Sequence, residues 1–181
     1  CEEEGDFMRT LKLTSRSCNL TVISQGEDTY TDVMGSMARF MMESSLPVLA
    51  VPASGLEENI GEKMLVAWDA SAESARAGQD AMPFLLEAKE VIVVSITESR
   101  KQPCPTDDIC TMLNREGVKA IGLEEEEQFD RAARLLTIAK EKDVNLIVAG
   151  AWGHKRLLEV IFGGVTKTLF TNQQIPILFS H

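Results

Sequence analysis

Absences narrow this sequence before any motif is read. No apolar run reaches the eighteen or so residues that a membrane helix requires. Basic residues are not in excess: 18 Lys and Arg stand against 28 Asp and Glu, giving a formal net charge of −10. A nucleic-acid partner demands a basic face, so neither nucleic acid nor membrane is expected as a partner. Solubility alone accounts for acidity of this size. Cysteines are few and scattered, at Cys1, Cys18, Cys104 and Cys110, with no C-x-x-C pair and no neighbouring histidine. That spacing excludes a structural zinc site. Four thiols in a chain of this length build no disulfide scaffold, so reduced cysteines in a cytoplasm are expected.

Familiar catalytic and phosphate motifs are also missing. No lysine and Ser/Thr pair follows a glycine as in a P-loop, and G-x-G-x-x-G is absent after both Asp69 and Gly150. No serine lies in a G-x-S-x-G turn, and no nucleophile, histidine and aspartate suggest a triad. The chain opens on Cys1 rather than methionine. The natural N-terminus is therefore expected to lie outside it, and the lack of a signal peptide carries no weight.

What is present is a regular alternation of strand and helix from Lys63 to His181. Met64–Trp68 reads as a strand that stops at Asp69-Ala70-Ser71, where Asp69 or Ser71 would cap the helix that follows. That helix buries a face of Ala75, Gly78, Met82, Leu85 and Leu86, with Pro83 bending or ending it. Val91–Ile96 is apolar on both faces, as a central parallel strand must be. A loop to Pro105, a helix over Asp107–Arg115, and a weaker strand over Val118–Leu123 come next. The carboxylates Glu124–Glu127 then lead into a helix with the face Phe129, Ala132, Ala133, Leu136 and Ala139, where negative charge suits the helix start. Leu146–Ala149 and Ile175–Phe179 are the fourth and fifth strands. Helices of this length between strands impose parallel pairing. The fold class is thus α/β: an open parallel five-stranded sheet with helices on both faces.

The first part of the chain repeats half of this pattern. A helix over Asp6–Ser17, a strand at Leu20–Ile23, a helix over Thr31–Ser44 and a strand at Pro47–Pro52 match the order found at Phe129–Phe179. Leu46-Pro47-Val48-Leu49 mirrors Ile175-Pro176-Ile177-Leu178. Met34, Met37, Ala38 and Met41 recur at helical spacing, a stripe best read as core. Three segments result: a half-domain over residues 1–53, a linker over 54–62, and a complete domain over 63–181.

The chemistry concentrates after the fourth strand. Gly150-Ala151-Trp152-Gly153 stands where ligands bind in open α/β sheets, and Gly163 and Gly164 precede Val165-Thr166, which open another helix. Such glycines admit a ligand close to the backbone, and the free N–H groups of a helix start suit an anion. Lys155, Arg156 and Lys167 against Glu159 make this stretch basic within an acidic chain. Each residue has a structural reading too. Asp69 serves equally as a cap, the glycines as a tight turn, His154 as a surface residue, and Trp68 and Trp152 as packing.

The pattern resembles the universal stress protein family. Its nucleotide-binding members carry glycine, two residues, glycine, nine residues, glycine and then Ser or Thr. Gly150, Gly153 and Gly163 match that spacing, with Gly164 in the place of the hydroxyl residue. Val66-Ala67-Trp68-Asp69-Ala70-Ser71 resembles the family's first-strand signature, with Ala70 in the place of a glycine. The resemblance covers 63–181, and the earlier half-domain is similar to a degenerate copy in a tandem pair. It implies a Rossmann-like, adenine-nucleotide-hydrolase-like fold and an adenine nucleotide, ATP or AMP, with Mg2+ as a companion of the phosphates. It places Asp69 and Ser71 beside the nucleotide and the backbone of Ile96 and Thr97 at the adenine. Gly150, Gly153, His154, Gly163, Gly164, Val165 and Thr166 then surround the phosphates. A missing hydroxyl at Gly164 costs about 0.5–1.5 kcal/mol, enough to weaken binding without abolishing it. No general base stands at the phosphate turn, so the expected role is a stress-response sensor or regulator with at most slow ATP hydrolysis. The alternative is a nucleotide-free interaction or scaffold protein with a vestigial pocket. Last strands in this family pair antiparallel, so Pro47–Pro52 and Ile175–Phe179 are expected to join in a homodimer or within one chain.

Overall fold

The computed structural model describes residues 7–25, 40, 46–56, 58–97, 104–126, 130–151, 165, 168–169, 171 and 174–181. Helix α1 (Phe7–Ser15) precedes strands β1 (Thr21–Gln25) and β2 (Val48–Pro52). The complete domain then runs β3 (Lys63–Trp68), α2 (Ala72–Asp80), α3 (Met82–Glu87), β4 (Glu90–Thr97), α4 (Asp107–Arg115), β5 (Ala120–Glu126), α5 (Arg131–Glu141), β6 (Leu146–Gly150) and β7 (Ile177–Ser180). Pro83 divides the second helical stretch as its fixed φ requires: α2 ends before it, and α3 starts with it in the first turn.

The five-stranded sheet of the complete domain is present, but it is not a separate sheet. All seven strands form one sheet in the order β1-β2-β7-β6-β3-β4-β5. Every neighbouring pair is parallel except β2 and β7. That pair is the expected antiparallel union of last strands, made here within one chain: Val48 faces Phe179, Leu49 faces Leu178, and Ala50 faces Ile177. The repeat equates Leu49 with Leu178, so equivalent residues meet each other and a local two-fold axis passes between them.

Two apolar layers cover the sheet, one on each face. Val91 and Val93 of β4 join Met64, Val66, Ala77, Leu85 and Leu113 on one side, under α2, α3 and α4. Ile92, Val94 and Ile96 join Leu65, Leu135, Ile138 and Ile177 on the other, under α5. Phe40 and Leu169 are both buried in that second layer.

Three expectations shift. The strand read at Val118–Leu123 is β5 and continues to Glu126, so Glu124–Glu126 are strand residues rather than the first turn of a helix. Tertiary partners fix them there: Glu124 accepts the Thr106 N–H, and Glu125 pairs with Arg134. Asp130 supplies the negative N-cap of α5 instead, accepting from the N–H groups of Ala132 and Ala133. The buried face of α5 is Ala132, Leu135, Ile138 and Ala139, while Ala133 is exposed. In α2 and α3 the buried set is Ser74, Ala77, Gly78 and Leu85, and Leu86 points to solvent. Both slips arise because one apolar residue can be traded for its neighbour in a helical repeat with little change in pattern. The methionine stripe Met34, Met37, Ala38 and Met41 lies outside the described residues, as does Phe129.

Candidate functional site

The strand order reverses direction at β3. The chain moves outward from β3 to β4 and β5, then returns to β6 on the other side of β3. Ligands of open α/β sheets sit at such a switch, outside the carboxyl ends of the two strands. Here those ends are Trp68-Asp69 and Gly150-Ala151. The topology therefore brings together the two sequence-predicted elements that lie 81 positions apart (150 − 69) in the chain.

Asp69 and Ser71 divide the capping role between them. Ser71 is the N-cap of α2, its hydroxyl accepting the Ser74 N–H at 3.1 Å. Asp69 braces that cap: its Oδ1 accepts the Ser71 N–H at 3.1 Å and the Ser71 hydroxyl at 2.6 Å. Burial alone would raise the Asp69 pKa. The hydrogen bonds from Ser71, the side chain of Ser74 and the charge of Arg131 outweigh it, and the carboxyl is held below its ordinary value. Asp69 is thus ionised throughout the neutral range. The stability it contributes is present above the ordinary carboxylate range and is lost as pH falls through the lowered value.

Ala70 sits between them with φ of 56°, in the left-handed region. A glycine adopts that conformation freely, whereas an L side chain costs about 1–2 kcal/mol there. We expect Ala70→Gly to relieve this strain. Set against the larger unfolded-state entropy of glycine, the gain is about 0.5–1 kcal/mol. A calorimetric melt rising by roughly 1–4 °C checks it, and an unchanged or lower melt contradicts it.

Gly150 has a specific neighbour. A Cβ placed on it would lie 2.7 Å from the carbonyl carbon of Glu73 and from the Ser74 nitrogen. The first turn of α2 packs directly on the end of β6, and only glycine permits this. Beyond it, the Ala151 N–H donates to the Ser180 carbonyl at 2.8 Å, and His181 Nδ1 lies 3.0 Å from the Ala151 carbonyl. The Ser180 hydroxyl in turn donates to Asp80 of α2. The rear wall of the crevice is therefore pinned from β6, β7 and α2 together.

Ile96 and Thr97 are the last two residues of β4, which runs one residue past the end read from the sequence. They pair with Glu125 and Glu126 of β5, while pairing with β3 ends at Trp68 opposite Ser95. β4 thus outruns β3, and the β3-facing side of its last two residues borders the crevice. Val165 is helical, half-buried and packed against the core layer that contains Leu169 and Ile177. Gly153, His154, Gly163, Gly164 and Thr166 lie outside the described residues, as do Trp152, Lys155, Arg156 and Lys167.

Several crevice residues escaped sequence reasoning. Ser95 is buried, and its side chain acts on the nearby Cys104 thiol, favouring the thiolate. Burial pushes that thiol pKa up, and the carboxylates of Asp69 and Glu124 push it the same way. Burial, then the charge of Asp107, does likewise at Cys110. Both thiols are protonated at neutral pH and are poor nucleophiles. Ser95 was legible as the one polar residue in the run Val91–Ile96. Nothing local signals Arg131, which acts on Asp69 across the fold. Among the described residues no group of three or more His, Cys, Asp and Glu could hold a metal ion.

These features define a doubly wound α/β protein with its crevice at the β3–β6 switch point. No protein-family model matches the sequence, and no curated protein matches it. Solved structures do share its fold. A universal stress protein from Archaeoglobus fulgidus superposes with a TM-score of 0.78 over 97% of this chain and 65% of that one, at 16% identity. A universal stress family protein from Burkholderia pseudomallei gives 0.54 over 68% of this chain and 98% of that one, at 21% identity. A protein of unknown function from Pseudomonas aeruginosa gives 0.67 over 98% of this chain and 68% of that one, at 14% identity. The chain has the universal stress protein fold, and it spans about two thirds of the length of the archaeal protein. No helix among the described residues is long and apolar enough to cross a membrane.

Proposed function

We propose that the chain is a universal stress protein whose complete copy, residues 63–181, binds an adenine nucleotide, ATP or AMP, in the crevice between β3 and β6. It acts in the cytoplasm as a sensor or regulator of a stress response rather than as an efficient enzyme. The observation that carries this reading is the meeting of Asp69 and Gly150 at the topological switch point. Asp69 is an ionised acceptor suited to a ribose or base donor, and the open side of Ile96 and Thr97 offers backbone groups to a planar base. Gly153, His154, Gly163, Gly164, Val165 and Thr166 complete the site at the phosphates, with Mg2+ bound through those phosphates. Residues 1–53 form the second half of a degenerate copy, joined to the complete one through β2 and β7.

Titration calorimetry with ATP and AMP tests the reading, together with the fluorescence of Trp68 and Trp152. A saturable signal is expected with either nucleotide. Asp69→Asn should weaken it about tenfold, because a hydrogen bond to a charged acceptor contributes about 1.5–3 kcal/mol. Gly164, standing where a hydroxyl is expected, favours the competing reading of a nucleotide-free interaction protein. No response at millimolar ligand would establish that alternative and remove the first.

A further inference from the structure

Two arginines stand one turn apart at the start of α5, at different levels of the sheet. Arg134 ion-pairs with Glu125, its Nη2 3.0 Å from Oε1. Glu125 lies opposite Ile96, one residue before β4 ends. α5 connects β5 to β6 within the parallel part of the sheet, so it runs antiparallel to the strands and starts at their carboxyl ends. Arg131 is the first residue of α5, one turn nearer those ends than Arg134. Side chains on a helix tilt toward its N-terminus. With Arg134 already level with Ile96, Arg131 reaches past the strand ends. It stands over the crevice on the face where Ala67 and Ile96 pack.

Asp69 gives the same placement independently. The charge of Arg131 is felt at its carboxyl, after burial and the hydrogen bonds of Ser71 and Ser74. The two residues are 62 positions apart in the chain (131 − 69). Arg131 is half-buried, and the helix itself does not call for it. A cation in the first turn opposes the helix dipole, and the first turn of α5 holds no acidic residue. We propose that Arg131 is a nucleoside-binding residue of the crevice, its guanidinium plane lying against the base of the bound adenine nucleotide. This role rests on nucleotide binding by residues 63–181, as proposed above. Arginine suits it because a planar, weakly hydrated cation stacks on an aromatic face, and Asp69 beside it keeps the guanidinium over the crevice. Arg131 thus meets the part of the ligand that ATP and AMP share.

The test is titration calorimetry with ATP and with AMP on the 181-residue chain. Arg131→Ala should weaken both nucleotides by the same factor, about tenfold, while melting like the parent. Arg131→Lys keeps the charge without the plane and should recover little of that loss. Lys140→Ala removes an equal charge from the exposed last turn of the same helix and should leave both affinities unchanged. A parent that binds either nucleotide while Arg131→Ala binds it equally well overturns the role of Arg131 alone. So does a larger loss for ATP than for AMP, or full recovery with Arg131→Lys, since either marks a phosphate contact. Equal losses from Arg131→Ala and Lys140→Ala overturn it as well, being an effect of overall charge. No binding by the parent removes the nucleotide reading itself, and this role with it.

Discussion

Gly150→Ala should lower the melting temperature by about 3–10 °C and, on the proposed function, reduce nucleotide affinity by about tenfold or more. The added methyl group would stand 2.7 Å from two backbone atoms of Glu73 and Ser74. Backbone cannot swing aside as a long side chain does, so α2 must lift from β6. Overpacking of this kind costs about 1–3 kcal/mol. The displaced turn begins at Ser71, whose hydroxyl and N–H hold Asp69, so the crevice loses its acceptor geometry along with its packing. Gly78→Ala supplies the control. Its Cβ would meet nothing within 4 Å, and the residue lies inside α2. That substitution should stabilise by about 0.5–1 kcal/mol through helix propensity. If both variants melt alike, the close contact between α2 and β6 is wrong.

Leu178→Ala should cost about 2–5 kcal/mol, the range for a fully buried leucine truncated in a core. Leu178 is 0% exposed, lies in the layer under α2 and α3, and faces Leu49 across the antiparallel joint. The loss should therefore not be uniform. Amide exchange should quicken most in β1 and β2, which are anchored to the complete domain through this pairing. Leu113→Ala, equally buried but on α4, should lower global stability by a similar amount and leave exchange in β1 and β2 tied to global unfolding. Equal local protection in the two variants would mean that the halves are not coupled through β2 and β7.

Much of the fold was legible because period and punctuation agree along the chain. Val91–Ile96 is apolar at every position but Ser95, and Pro83 and Gly117 fall at helix ends, where their backbone chemistry belongs. The last part of β5 was not legible. Glu124, Glu125 and Glu126 are poor strand formers in isolation and good company for a helix start, so propensity pointed the wrong way. Thr106 and Arg134, distant in sequence, supply the partners that hold these carboxylates in a strand. The crevice shows the same division. Asp69 and Ser71 announce a cap by residue type, but the Cys104 thiol against Ser95, and the reach of Arg131 to Asp69, depend on how α4 and α5 pack over the strands.

The sequence by itself determined the α/β class, the internal repeat, the spacing of Gly150, Gly153 and Gly163, and the two strands that would join the halves. All of these are written in residue types at short separations, where chemistry acts locally. The tertiary structure alone decided that the seven described strands form one sheet, with β3 between β4 and β6. It also decided that Gly150 is needed by the first turn of α2, and that Ala70 occupies a left-handed turn. Those facts depend on which surfaces meet once the chain has closed on itself. Contacts across 80 or more residues are set by the balance of burial and backbone pairing over the whole core, not by any segment read alone.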